Sequence, residues 1–215
     1  MRKYKAYIFD FDLTLVDSSG AILKCFQHTL REFGYPLPDD KTITDTIGLP
    51  LTDAFDILSG ITPNPNKEEM RKTYVAFADG IMAKESLFYP DALGILQSLK
   101  TAECKVAIVS SKMRYRIVET FEYHTSSFPV DLIIGLDDVS TPKPDPTGLL
   151  FAIGKLGVGK EDVLYIGDSY IDAETAENAG VDFAAVTTGS TTRKEFEKYK
   201  NIAIGDSLTD IFLNI

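Results

Sequence analysis

Four short segments of this chain carry side chains able to do chemistry. Asp10-Phe11-Asp12-Leu13-Thr14 offers two carboxylates two positions apart. Side chains alternate along an extended strand, so Asp10 and Asp12 can face the same way. Two acids so placed repel each other unless a divalent cation joins them or one of them stays protonated. Magnesium suits the first arrangement because it takes hard oxygen ligands. The second is what a general acid requires. Gly167-Asp168-Ser169, followed by Asp172, adds two further acids. Asp168 is placed to ligate a metal, and Asp172 to ligate it or to orient a metal-bound water. Helix capping is the competing account, with Asp168 or Ser169 as N-cap and Asp172 in the first turn.

Ser110-Ser111-Lys112 presents a hydroxyl and backbone amides of the kind that hold a phosphoryl oxygen, or else a serine N-cap. Between Thr141 and Pro146, three prolines flank Lys143. A lysine on so stiff a loop is a fixed point charge, suited to a phosphate or a nucleophilic carboxylate. The simpler account is a solvated lysine in a turn. Singly, each segment fits a structural role. Jointly they supply a nucleophile, an acid/base, a phosphate cradle, a cationic neutraliser and metal ligands, which is the inventory of phosphoryl transfer to a carboxylate.

The elements that must position these groups are readable from the apolar pattern. Apolar runs at 6–10, 105–110, 131–134, 163–168, 183–186 and 201–205 read as strands buried on both faces. From 105 onward each alternates with a helical stretch: 114–123, 146–156, 169–179 and 192–199. This implies an α/β fold, a Rossmann-like, mostly parallel sheet with helices on both sides. All four segments fall at or beyond the carboxyl ends of these runs, where open α/β sheets bind ligands. Almost a hundred residues separate the first two strands, and most of them look helical. Ile22, Leu23, Phe26, Leu30 and Phe33 recur at helical spacing,. Further helices fit 41–47, 52–58, 67–84 and 92–100. A crossover needs about a dozen residues, so the excess reads as an inserted α-helical cap domain at 16–82, with the core at 1–15 and 83–215. Leaving from the end of the first strand, the insert would form a lid.

The order and spacing of the motifs resemble the haloacid dehalogenase-like hydrolase superfamily, in its phosphoglycolate phosphatase and β-phosphoglucomutase branch. The resemblance covers nearly the whole chain. Its most specific pieces are Gly167-Asp168-Ser169-Tyr170-Ile171-Asp172, continuing to Ala176, Ala179 and Gly180, and Lys143-Pro144-Asp145-Pro146. It implies a magnesium-dependent phosphatase in which Asp10 attacks phosphorus and becomes an aspartyl phosphate. Asp12 would protonate the leaving oxygen, then activate water, and reach magnesium through its carbonyl. Ser110, with Ser111, would bind the phosphoryl group, and Lys143 would neutralise it together with Asp10. Asp168 would ligate magnesium, with Asp172 supporting that site. Thr14, counted with the substrate-binding groups, would orient the Asp12 loop. Gly48-Leu49-Pro50 and Ser18 would contact the leaving group. A glycine is usual in this family where Leu13 stands. With the acids and Thr14 in place, the expectation is a loop that does not need glycine. A β-phosphoglucomutase-like phosphomutase shares every core residue. A non-catalytic phosphate-binding regulatory module on the same scaffold is the alternative outside enzymes. Phosphoglycolate, sugar phosphates, nucleoside monophosphates and pyrophosphate all suit these residues as substrates.

Bulk properties narrow the classes further. The chain has 215 residues, 44% hydrophobic and 25% charged, with 32 acids against 22 bases and a net charge of −10. That balance argues against a nucleic-acid partner bound through a basic surface. A small phosphorylated metabolite remains compatible, since a cation and a lysine reverse the local field. Two histidines and two cysteines outside any ligand spacing argue against zinc,. Met1-Arg2-Lys3 and a short apolar run lack the length of a secretory signal. No run approaches a membrane span. A cytoplasmic location is expected, and the oligomeric state is not written in the sequence.

Overall fold

The computed structural model describes residues 4–215; positions 1–3, which open the expected core, lie outside the described residues. The chain begins with β1 (Ala6–Phe9) and crosses to a helical unit through β2 (Val16–Asp17). That unit consists of α1 (Ser19–Glu32), α2 (Asp40–Thr44), α3 (Leu51–Ser59) and α4 (Lys67–Glu85). The chain returns through β3 (Leu87–Phe88) and α5 (Ala92–Thr101). Then β4 (Lys105–Val109), α6 (Arg114–His124), β5 (Leu132–Ile134), α7 (Thr147–Leu156), β6 (Val163–Gly167) and α8 (Tyr170–Ala179) alternate. The last elements are β7 (Asp182–Val186), α9 (Arg193–Phe196), β8 (Ala203–Gly205) and α10 (Leu208–Asn214).

Six strands form one parallel sheet in the order β5-β4-β1-β6-β7-β8. Order reverses around β1, with β4 on one side and β6 on the other, and this is where such sheets open a crevice. Alternation along β1 explains the two layers of core. Tyr7 and Phe9 face a cluster with Leu96, Ile117, Phe121 and Ile211. Ala6 and Ile8 face another with Leu149, Tyr165 and Ala176. A third cluster, separate from both, joins Ile22, Phe26, Phe55, Tyr74 and Met82 of the helical unit.

The two units are joined by an antiparallel ribbon, Val16 opposite Phe88 and Asp17 opposite Leu87. Two-residue strands leave no periodic trace, and the sequence reading has none here. It also has no helix at α10. Arg116 of α6 links the units a second time. Its guanidinium donates to the Val75 carbonyl at 3.2 Å and pairs with Asp79, both on α4. Among the described residues no helix is long and apolar enough to cross a membrane.

Candidate active site

Asp10 follows β1 directly, and its amide donates to the Ile166 carbonyl of β6 at 2.8 Å. The backbone of the central strands thus fixes the position of its carboxylate. Asp168 follows β6, and Ser169 caps α8 in a reciprocal box with Asp172. Capping and site chemistry, alternatives in the sequence, are here one arrangement. Asp172 Oδ2 accepts from the Ser169 amide at 3.1 Å and hydroxyl at 2.6 Å. Its other oxygen, Oδ1, takes Lys143 Nζ at 2.6 Å. Glycine is needed twice at this corner. A Cβ on Gly167 would strike the Asp172 carboxyl, and one on Gly189 would strike Asp168 Oδ2.

The carboxylates of Asp10, Asp168 and Asp172 lie within 4.8 Å of one another, all buried. Lys143 Nζ is 3.0 Å from Asp10 Oδ1 and 3.2 Å from the Tyr165 hydroxyl. Three acids thus face one lysine, and the titration follows that imbalance. Burial pushes the Asp10 carboxyl from 3.8 up to about 6, with Asp172 adding to the rise and Lys143 opposing it. Burial and the neighbouring Asp172 and Asp10 raise Asp168 well above its ordinary value. Burial would lower Lys143, but Asp10 and Asp172 together hold it well above the usual lysine range.

A hard divalent cation fits this donor set. Asp10 Oδ1 is buried, and its contact with Lys143 lacks hydrogen-bond geometry, so it has no hydrogen-bond partner. Asp168 gives one oxygen to Thr14 Oγ1, which donates at 2.8 Å. Both oxygens of Asp172, by contrast, already accept from protein donors. Asp10 and Asp168 are therefore the carboxylates free to ligate, and Asp172 holds Lys143 and the Ser169 turn.

Other expected residues are placed as follows. The Asp12 carboxylate lies outside the acid cluster. Its Oδ1 accepts from Lys112 Nζ at 2.7 Å and from Ser18 Oγ at 2.6 Å. Ser110 and Ser111 line a cavity of about 320 Å³ that extends from Asp10, Asp12 and Asp168 into the helical unit. Ser111 Oγ is buried without a hydrogen-bond partner. Gly48, Leu49 and Pro50 line the same cavity. Two expectations need correction. Ser18 is fully buried and holds Asp12 rather than a leaving group. Thr14 spends its hydroxyl on Asp168 and is not among the cavity's lining residues, so it orients an acid rather than substrate.

Leu13 is a third correction. Its φ is +59°, so the loop does adopt the conformation that favours glycine. A non-glycine residue there costs about 1–2 kcal/mol. Leu13 is buried, and the Thr188 hydroxyl donates to its carbonyl. Lys112, Tyr165 and Arg116 are site residues to which the sequence reading gave no role. Lys112 was visible in Ser-Ser-Lys, but its reach to Asp12 is a tertiary fact. Tyr165 hides in an apolar strand, where its hydroxyl lies 2.9 Å from Asp172 Oδ1.

A parallel sheet whose central strands end in buried carboxylates, with a lysine from the loop before α7 set against them and an inserted helical unit above, defines a hydrolase scaffold for phosphoryl chemistry. Comparison with known proteins gives the family. The profile described as haloacid dehalogenase-like hydrolase matches residues 7–186, and the chain belongs to that family, on its phosphoglycolate phosphatase-like branch. It is a hydrolase of this phosphatase group. The pyrophosphatase PpaX of Listeria innocua is 34% identical over 182 residues, covering 82% of this chain and 80% of that protein. A crystal structure described as a haloacid dehalogenase-like hydrolase from Bacteroides fragilis superposes with a TM-score of 0.94 at 44% identity, covering 97% of this chain and 100% of that one. One described as a phosphoglycolate phosphatase from Lactobacillus plantarum has a TM-score of 0.85 at 26% identity, with full coverage of both chains.

Proposed function

We propose that this protein is a magnesium-dependent phosphatase that hydrolyses a small phosphomonoester through an aspartyl phosphate on Asp10. The observation that carries it is the buried Asp10 carboxylate, 3.0 Å from Lys143 and beside Asp168. Asp10 and Asp168, with the Asp12 carbonyl, would hold magnesium, which supplies positive charge against the phosphoryl oxygens and the acid cluster.

An oxygen of Asp10 attacks phosphorus and the bond to the leaving oxygen breaks. Asp12 gives that oxygen its proton. Lys112 and Ser18 fix the Asp12 side chain for this task. Water then attacks the aspartyl phosphate, Asp12 takes its proton, and phosphate leaves with Asp10 restored. Ser110, Ser111 and Lys143 hold the transferred group, since donors fixed before reaction act most strongly in a site that excludes water. Residues 16–82 serve as a cap over the reacting atoms, as the shared cavity suggests. The cytoplasm, where small phosphorylated metabolites are held, is the place proposed for this activity.

Phosphate release from a panel of phosphometabolites should require magnesium and stop with chelator. Full release by Asp10→Asn would sink the mechanism. Interconversion of glucose 1-phosphate and glucose 6-phosphate without phosphate release would favour the mutase instead.

A further inference from the structure

The cavity has two ends of different character. At the sheet, Asp10, Asp12, Asp168, Ser110 and Ser111 surround the place of the phosphoryl group. Toward the helical unit the walls include Ile22, Phe26, Leu49, Val75, Met82 and Met113. A leaving group must occupy that second end.

Charge accounting there is decisive. Three cations line the cavity: Arg71, Lys112 and Arg116. Each has a carboxylate partner. Lys112 lies 2.7 Å from Asp12, and Arg71 lies 3.1 Å from Glu68. Arg116 pairs with Asp79 and, at 3.2 Å, with Glu119. Lys143, at the phosphoryl end, is shared between Asp10 and Asp172. The amino end of α3, at Leu51 and Thr52, also reaches the cavity, and its dipole already has Asp53 in the first turn,. A second anion on the substrate would enter an apolar chamber whose positive charges are all matched, and an unmatched charge there is costly.

We propose that the leaving group is an uncharged alcohol with an apolar face and of single-ring size, and not a phosphate or a carboxylate-bearing acid. This rests on the phosphatase reading above and specifies its substrate class. The size follows from the cavity of about 320 Å³, near the lower end of ligand pockets, which begin at about 300 Å³. The walls are mostly apolar, with Thr46, Thr52, Tyr74 and Tyr115 set among them as uncharged polar groups, which suits an uncharged alcohol and selects by shape and burial. Arg71 is the point most open to an anion, because its pair with Glu68 is solvent-exposed and therefore weak,.

The test compares kcat/KM of the full chain, with magnesium, for benzyl phosphate, phosphoglycolate and inorganic pyrophosphate. Benzyl phosphate and phosphoglycolate both release a primary alcohol, so the comparison isolates the pocket rather than leaving-group chemistry. Benzyl phosphate should exceed the other two by about tenfold or more. The surface variant Glu68→Gln, which frees Arg71, should raise the phosphoglycolate and pyrophosphate values and leave benzyl phosphate unchanged. Phosphoglycolate or pyrophosphate turned over as well as or better than benzyl phosphate overturns the inference and leaves the phosphatase reading standing. Phosphate from none of the three but from an anionic member of the phosphometabolite panel overturns the inference alone, and phosphate from no compound at all overturns both.

Discussion

The sheet end and the helical end of the cavity are built on opposite principles. At the sheet end polar groups are paired one against another, Lys143 to two acids, Thr14 to Asp168 and Ser169 to Asp172, and the atoms left over, Asp10 Oδ1 and Ser111 Oγ, face the place of the reacting group. The helical end is enclosed by side chains such as Phe26, Val75 and Met82, which also pack in or against a core of their own. The first region fixes what reaction occurs, because charge geometry tolerates little change. The second selects by volume and surface, which many residue combinations can satisfy.

This contrast can be broken most sharply by paired substitutions. Asp10→Asn should lower kcat/KM by about four orders of magnitude whatever the leaving group, since it removes the proposed nucleophile. Met82→Ala should reorder substrates by about tenfold or less, the scale of a hydrophobic pocket contact. Equal, substrate-independent losses in both variants would erase the distinction.

The excess of acids at the sheet end gives a second prediction. A carboxyl raised in the fold keeps a proton that the unfolded chain has released. Stability of the metal-free protein therefore falls as pH rises from the unfolded value, about 3.9, toward the folded value of about 6 for Asp10,. Asp168, raised in the same direction, adds to that loss. A cation held by Asp10 and Asp168 would replace those protons. The gain in Tm on adding magnesium should thus be larger near pH 7 than near pH 5. A gain that does not change with pH would mean that the acids are not where the metal acts.

The smallest effect concerns Leu13. Leu13→Gly and Leu13→Ala lose nearly the same buried side chain, differing by one methyl group, so comparing them reads mainly the backbone. Glycine should be the more stable by about 1 kcal/mol in chemical denaturation, since φ is +59° there,. Equal stabilities would show that the loop relaxes in the variants.

Legibility in the sequence follows the same division. The six sheet strands, and Asp10, Ser110, Lys143 and Asp168 at or beyond their ends, were readable because apolar runs and strand-end polar residues are local signals. Asp172 was readable as a candidate metal ligand or as support for one, and its doubly occupied carboxylate was not. The link from Lys112 to Asp12 joins residues distant in the chain, so no spacing announces it. Leu13 misled for a physical reason: its type argues against a left-handed backbone, whereas burial and the Thr188 contact hold it there. In α10, Ser207 accepts from the Asp210 amide and Leu208 and Ile211 are buried. That pattern was available but short. Arg116 was visible only as a charge on a helix, and its burial against α4 depends on how the two units meet.

The ribbon of Val16–Asp17 with Leu87–Phe88 brings both crossings of the chain side by side. To the core, everything between them is a closed loop whose ends are already held together. Lengthening such a loop is entropically mild, about 0.6 kcal/mol for each doubling. The ribbon thus works as a socket. A helical insert of another size or composition could be exchanged there without disturbing strand order, provided that the Ser18 contact to Asp12 and a partner for Arg116 are kept, so substrate range can diverge while the reaction is inherited.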